Sequence, residues 1–117
     1  MKFIDTAIAD VKIVEVNVFG DERGFFMETF CADEFMAQTS AKPFVQDNHS
    51  KSTKGILRGL HYQQSQTQGK LVRVTAGAVY DVAVDMRQSS STFGKAVGVV
   101  YLASINLAGS ASIILAG

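Results

Sequence analysis

The sequence predicts an all-β domain of sandwich or barrel type with one short helix. Short runs of β-branched and aromatic residues recur at roughly ten-residue spacing. Glycine and asparagine punctuate those runs throughout, and a helical pattern is confined to Ala32 to Thr39. At 117 residues, with 47% apolar and 19% charged residues, the chain has the length of one domain and enough apolar content for one core. That excludes two ordinary domains and wholesale disorder.

The elements follow in order. Val11 to Phe19 alternates, with Val14, Val16 and Val18 on one face and Ile13, Glu15 and Asn17 on the other, and reads as one strand. Gly20-Asp21-Glu22-Arg23-Gly24 is a turn, two glycines bracketing three charged residues, after which Phe25 to Phe30 resumes a β pattern. In the helix Phe35 and Met36 are expected to face inward, with Asp33 and Glu34 in the first turn, where the helix dipole favours negative charge. Pro43 ends that region, Phe44 to Asn48 starts another extended segment, and His49 to Lys54 is a polar loop. Leu71 to Val74 runs to a turn at Ala76-Gly77, and Val79 to Asp85 runs away from it. There Tyr80, Val82, Val84 and Met86 share one face, and Asp81, Ala83 and Asp85 the other. Ser89 to Thr92 is a loop and Val97 to Leu102 a further strand.

Charge narrows the function classes. Lys plus Arg and Asp plus Glu balance at 11 each, so a nucleic-acid binder working through bulk electrostatics is not expected. One cysteine, Cys31, can neither staple the fold nor build a multi-thiolate metal site, and a reduced, cytoplasmic setting fits it. The N-terminus lacks the basic start and apolar stretch of a signal peptide. Every charged residue lies between Lys2 and Lys95, leaving 96–117 uncharged. That tail would just span a bilayer, but Gly, Ser and Asn interrupt it and no cationic or aromatic anchor closes it. One or two buried strands followed by an unstructured end are the expectation there rather than a membrane helix.

His61 is the first candidate for chemistry, read as a strand histidine in Arg58-Gly59-Leu60-His61-Tyr62-Gln63. Cationic neighbours such as Arg58 and Lys70 favour the neutral imidazole, which can accept a proton near neutral pH. A hydrogen-bonded structural histidine is the plainer alternative. Asp81 and Asp85 could orient His61, or could line a solvated sheet face. Only two histidines are present, twelve positions apart, with no His-x-His pair and following Glu, so no metal site is expected. The Gly20–Gly24 turn lacks phosphate-loop spacing. Arg23, Arg58 and Lys70 remain as discrete contacts to a phosphorylated ligand, arginine because its fork matches phosphate oxygens.

Five stretches together resemble the dTDP-4-dehydrorhamnose 3,5-epimerases: Val18 to Glu28, Phe44 to Ser50, Leu57 to Gln63, Gln68 to Val74 and Val79 to Asp85. They stand in the family's order within residues 1–100. The resemblance implies a cupin-type β jelly roll, here incomplete, a homodimer, no cofactor and no metal. It implies a dTDP-sugar substrate epimerised at C3 and C5 beside a C4 keto group that acidifies both protons. His61 then corresponds to the base, and Lys70 to the group that stabilises the enolate oxygen. Arg23, Glu28, Gln46, Asn48 and Arg58 match substrate-binding positions, and Asp47 lies within the same stretch without an assigned role.

The resemblance stops near Val100, and the family's tyrosine acid and the aspartate partner of its base have no counterpart in Tyr101 to Gly117. The expected organisation is therefore the N-terminal part of a jelly-roll epimerase domain over 1–100 and a divergent uncharged tail over 101–117. A truncated chain inactive in inversion is expected, one that at most exchanges substrate protons with solvent while the configuration is kept. The alternatives are an epimerase of a related dTDP-4-keto-6-deoxy sugar, a non-catalytic sugar-nucleotide-binding remnant, or a membrane-tethered domain.

Overall fold

The computed structural model describes residues 1–39, 42–103 and 111–115, the last as backbone only. The described elements are β1 (Lys2–Asp5), β2 (Val11–Glu15), β3 (Val18–Asp21), β4 (Gly24–Met27), α1 (Ala32–Gln38), β5 (Lys70–Arg73), β6 (Ala78–Val84), β7 (Ala96–Leu102) and β8 (Ala111–Leu115). They form an antiparallel sheet of order β1-β2-β8-β5 and two hairpins, β3-β4 and β6-β7. Strand β8 takes the tail into the sheet, where Ile113 lies opposite Ile13 on one side and Val72 on the other. The rest of the tail, 104–110 with 116 and 117, lies outside the described residues. Among the described residues, no helix is long and apolar enough to cross a membrane.

Two apolar clusters hold these layers. Ile8, Val11, Ala83 and Tyr101 form one, with Val74, Val97 and Val99 packed around them. Val14 and Phe35 form the other, with Met1, Phe3, Phe44 and Leu71 against them. Phe35 meets Phe3 edge-on at 5.2 Å and Phe30 at 5.0 Å between ring centroids. Burial of a side chain of this size contributes roughly 1.5–3 kcal/mol, so a helix of only seven residues is held by its packing rather than by its own propensity. Its N-cap, Cys31, makes no side-chain capping bond, and Glu34 instead pairs with the Met1 ammonium at 3.3 Å.

Several expectations need correction. The Val11–Phe19 run is two strands: at Val16-Asn17 the chain leaves the four-stranded sheet for the β3-β4 hairpin, with Val16 buried at the crossing. Phe35 faces inward, but Met36, one position around so short a helix, is 55% exposed. On β6 the inward face is the one carrying Asp81, Ala83 and Asp85, while Tyr80 on the other face is 67% exposed. Asp85 tolerates burial because its carboxylate is fully engaged, as described below. Residues 42–69 contain no strand, so neither Phe44–Asn48 nor His61 sits in a ladder. Extended backbone without a neighbour gains no ladder hydrogen bonds, and positive φ at Gly55 (87°) and Gly59 (105°) bends this stretch twice.

Candidate functional site

The residues singled out for substrate chemistry fall on three pieces of the chain. Arg23 stands at the tip of the β3-β4 hairpin, where Glu22-Arg23 joins the strands and Gly24 supplies the φ of 133° that starts β4. Glu28 follows the end of β4 on the same hairpin. Gln46, Asp47, Asn48, Arg58 and His61 lie along the strandless 42–69 segment, and Lys70 opens β5. All of these residues are exposed. Gln46 Nε2 donates to Asn48 Oδ1 at 3.3 Å, and Arg58 Nη2 donates to the Lys51 carbonyl at 3.3 Å. Neither His61 nor Lys70 has a side-chain hydrogen bond or ion pair with another described residue, so both present open polar groups. No such bond joins His61 to Asp81 or Asp85.

Arg23 makes the most hydrogen bonds of the set. Its backbone N–H donates to Asp21 Oδ1 at 2.8 Å, its Nε to both carboxylate oxygens at 3.2 and 3.1 Å, and its Nη2 to Oδ2 at 2.5 Å. The guanidinium lowers the Asp21 carboxyl below its ordinary value, helped by the Arg23 backbone N–H, and the carboxylate in turn raises Arg23. The turn geometry makes this possible, because a hairpin this tight folds position 23 back over position 21.

The same Asp-x-Arg arrangement recurs at the end of β6. The Arg87 backbone N–H donates to Asp85 Oδ1 at 3.1 Å, its Nε to Oδ1 at 2.9 Å and its Nη2 to Oδ2 at 2.9 Å. Ser90 Oγ and Thr92 Oγ1 each donate to Oδ2 at 2.6 Å, and Arg87 Nη1 reaches the Asp10 carboxylate on the β1-β2 connection. The Asp85 carboxyl is held far below the ordinary carboxylate range, by Arg87 first and then by the two hydroxyls. The oxygens of Asp85 are occupied by these donors, and Arg87, held by Asp85, carries the link from the β6-β7 hairpin to Asp10 beside the first sheet.

Two polar features lie away from the expected set. A cleft bordered by Asp5, Asp10, Lys12, Arg87 and the Ser89–Thr92 loop surrounds the Asp10-Arg87 link. Glu28, Cys31 and Glu34 bring one ligand-capable atom each within 4.8 Å of one another, with Glu34 also paired to the Met1 ammonium. Sequence reasoning treated Gly20–Gly24 only as a turn and so missed Asp21. The signal was present: Asp-x-Arg occurs at 21–23 and again at 85–87.

The sequence profile of the family described as dTDP-4-dehydrorhamnose 3,5-epimerase matches residues 5–106. The dTDP-4-dehydrorhamnose 3,5-epimerase of Shigella flexneri is 63% identical over 101 residues, covering 85% of this chain and 56% of that protein. Among solved structures, the dTDP-6-deoxy-D-glucose-3,5-epimerase of Legionella pneumophila, in complex with dTDP-4-keto-L-rhamnose, superposes with a TM-score of 0.81 at 48% identity, covering 98% of this chain and 64% of that one. The dTDP-4-dehydrorhamnose 3,5-epimerase of Elizabethkingia anophelis gives a TM-score of 0.84 at 43% identity, covering 99% and 67%. The strands are thus those of a cupin-type jelly roll, and the chain spans about half the length of most curated relatives it matches. This chain belongs to the dTDP-4-dehydrorhamnose 3,5-epimerase family.

Proposed function

We propose that the chain carries the base and nucleotide-binding part of a dTDP-4-dehydrorhamnose 3,5-epimerase site, serving dTDP-L-rhamnose synthesis in the cytoplasm as a homodimer. The carrying observation is that every candidate residue, from Arg23 to Lys70, falls within the matched span 5–106. The sugar-nucleotide bound to the Legionella relative supports the substrate class. The substrate would be dTDP-4-dehydro-6-deoxy-D-glucose, whose C4 keto group acidifies the protons at C3 and C5. His61 takes such a proton, and its exposed imidazole, held by no other described side chain, leaves it accessible for that role. The enolate oxygen that develops meets the Lys70 ammonium, a cation placed where negative charge accumulates. Arg23 and Arg58 serve the diphosphate, arginine being suited to forked contacts with phosphate oxygens. Glu28, Gln46 and Asn48 supply polar contacts to the rest of the ligand, and Asp47 lies beside them.

Inversion also needs an acid on the opposite face of the sugar. Residues 101–117 contain one tyrosine, Tyr101, which is 2% exposed and packed in the core. A polypeptide of these 117 residues is therefore expected to exchange substrate protons with solvent without inverting the centres. That separates it from the second reading, a non-catalytic sugar-nucleotide-binding segment, which would exchange nothing. The test is incubation of the 117-residue chain with the keto sugar nucleotide in deuterated water, followed by mass spectrometry and NMR of the recovered sugar. Deuterium should enter at C3 or C5 with retained configuration, and His61→Asn should slow that entry by roughly 10²–10⁴. Exchange unaffected by His61→Asn would remove His61 from the reaction. Inverted sugar would mean that an acid is supplied by a residue other than those named.

A further inference from the structure

We infer that Asp21 is a positioning residue that presets Arg23 to receive the diphosphate of a nucleotide ligand. The inference rests on the nucleotide-sugar reading and adds to it a residue with no assigned role. Arg23 has five guanidinium N–H groups. Asp21 engages the Nε side and one Nη2 position, at 3.1–3.2 and 2.5 Å. The two Nη1 hydrogens and the second Nη2 hydrogen form the opposite edge of the fork, and no described residue accepts from them. The clamp at 85–87 shows how such an edge is filled when the protein fills it. There Arg87 Nη1 reaches a second carboxylate, Asp10. At Arg23 the corresponding position is left open at an exposed hairpin tip, and an anion with paired oxygens fits it. A phosphate has that geometry.

Electrostatic attraction alone argues for the opposite effect of Asp21. The tip carries Asp21 and Glu22 against the single cation Arg23, so its formal charge is negative and it does not steer anions over distance. Recognition there has to come from directed hydrogen bonds at short range. Those depend on a long, exposed side chain being held in one conformation before the ligand arrives. Three guanidinium hydrogen bonds to one carboxylate two positions away, itself fixed by the Arg23 backbone N–H, supply that hold.

Positioning and simple charge predict opposite signs, which makes the test decisive. Titration of the 117-residue chain with dTDP, followed by heteronuclear NMR, compares wild type, Asp21→Asn, Glu22→Gln, Arg23→Ala and the Asp21→Asn/Arg23→Ala pair. Asp21→Asn should weaken dTDP by about threefold to tenfold, the range expected when one rotamer-rich side chain loses its preset conformation. Glu22→Gln removes the same charge without touching the clamp and should leave affinity equal or slightly tighter. In the Arg23→Ala background the effect of Asp21→Asn should vanish. Relaxation of the Arg23 Nε–H should report an ordered side chain in wild type and a disordered one in Asp21→Asn, with unchanged amide shifts at Phe19 and Phe26 showing an intact hairpin. Equal or tighter binding in Asp21→Asn, with Arg23→Ala still weakened, overturns the positioning role and leaves the nucleotide reading standing. Unchanged binding in Arg23→Ala overturns the assignment of Arg23 itself.

Discussion

Asp21-Arg23 and Asp85-Arg87 have the same spacing and nearly the same bonds, a backbone N–H, an Nε and an Nη2 given to one carboxylate. Their surroundings differ. Asp85 is 5% exposed, receives two hydroxyl donors besides the arginine, and leaves Arg87 to link onward to Asp10, 77 residues away in sequence. Asp21 and Arg23 are exposed, and among the described residues their side chains form hydrogen bonds and ion pairs only within this pair. Around Asp85, removal of one member strands the donors that converge on it. At the hairpin tip, water can replace any of the bonds at little cost. One local motif therefore holds two parts of the fold together in one place and presents an arginine in another. What separates the roles is whether protein or solvent meets the outer edge of the guanidinium.

The largest effect expected from this contrast is at Asp85. Asp85→Ala removes the common acceptor of Arg87, Ser90 and Thr92 and leaves a buried gap at the end of β6. The melting temperature should fall by about 10 °C, the scale of losing a buried, charge-assisted network in a domain of this size. Thermal unfolding followed by circular dichroism measures it. A fall under about 2 °C would mean that burial does not distinguish the two clamps.

How much of this was legible in the sequence differs between the two clamps. The strands around the second were readable, because Val79–Asp85 and Val97–Leu102 alternate and pair locally, as β6 and β7 do in register from Ala78 with Leu102 to Val84 with Ala96. Which face of β6 points inward was not readable, since alternation gives two faces and not their direction. Three apolar residues and a methionine on one side outweigh two aspartates by hydropathy, and the chain nevertheless buries Asp85, because the loop that follows brings Arg87, Ser90 and Thr92 back to it. The hairpin turn at 20–24 was legible from its glycines. The break at Val16-Asn17 was not, because a strand that changes sheets keeps its alternation. For the candidate site, residue identities came from motif resemblance, whereas their setting did not. The sequence reads His61 as a strand residue, and a strand needs a partner that 42–69 lacks among the described residues.

A smaller effect is expected at Asp10, the group that fills the outer edge of Arg87. Asp10→Ala leaves the Asp85 clamp intact and opens that edge to water, so the second clamp then resembles the first. The partners are each more than a third exposed on their side chains, at 45% and 38%, and solvent screening limits what the pair contributes. A fall of about 3 °C is expected, shrinking in high salt. A loss as large as that of Asp85→Ala would show that the link between sheets, and not the buried carboxylate, holds the hairpin in place.

The smallest effect lies at the hairpin tip and separates the clamps by acid rather than by heat. Both carboxyls are lowered by their arginines, Asp85 further because Ser90 and Thr92 add to Arg87. For a carboxyl depressed in the folded state, the stabilisation is present above the unfolded value of about 3.9 and is lost as pH falls through the folded value. Neither clamp should therefore contribute a stability change between pH 7 and pH 5. Below that range Asp21 should protonate first, releasing Arg23 while Asp85 still holds Arg87. Asp21→Ala should accordingly shift the melting temperature by about 1 °C or less at pH 7, because solvent replaces the lost bonds. A carbon-13 titration of the side-chain carboxyls reads the order directly. Asp21 should show a midpoint below that of an ordinary aspartate, and Asp85 should remain charged at that midpoint. If the two titrated together, the hydroxyl donors around Asp85 would add nothing to the arginine, and the distinction between a buried clamp and an open one would fail at its chemical root.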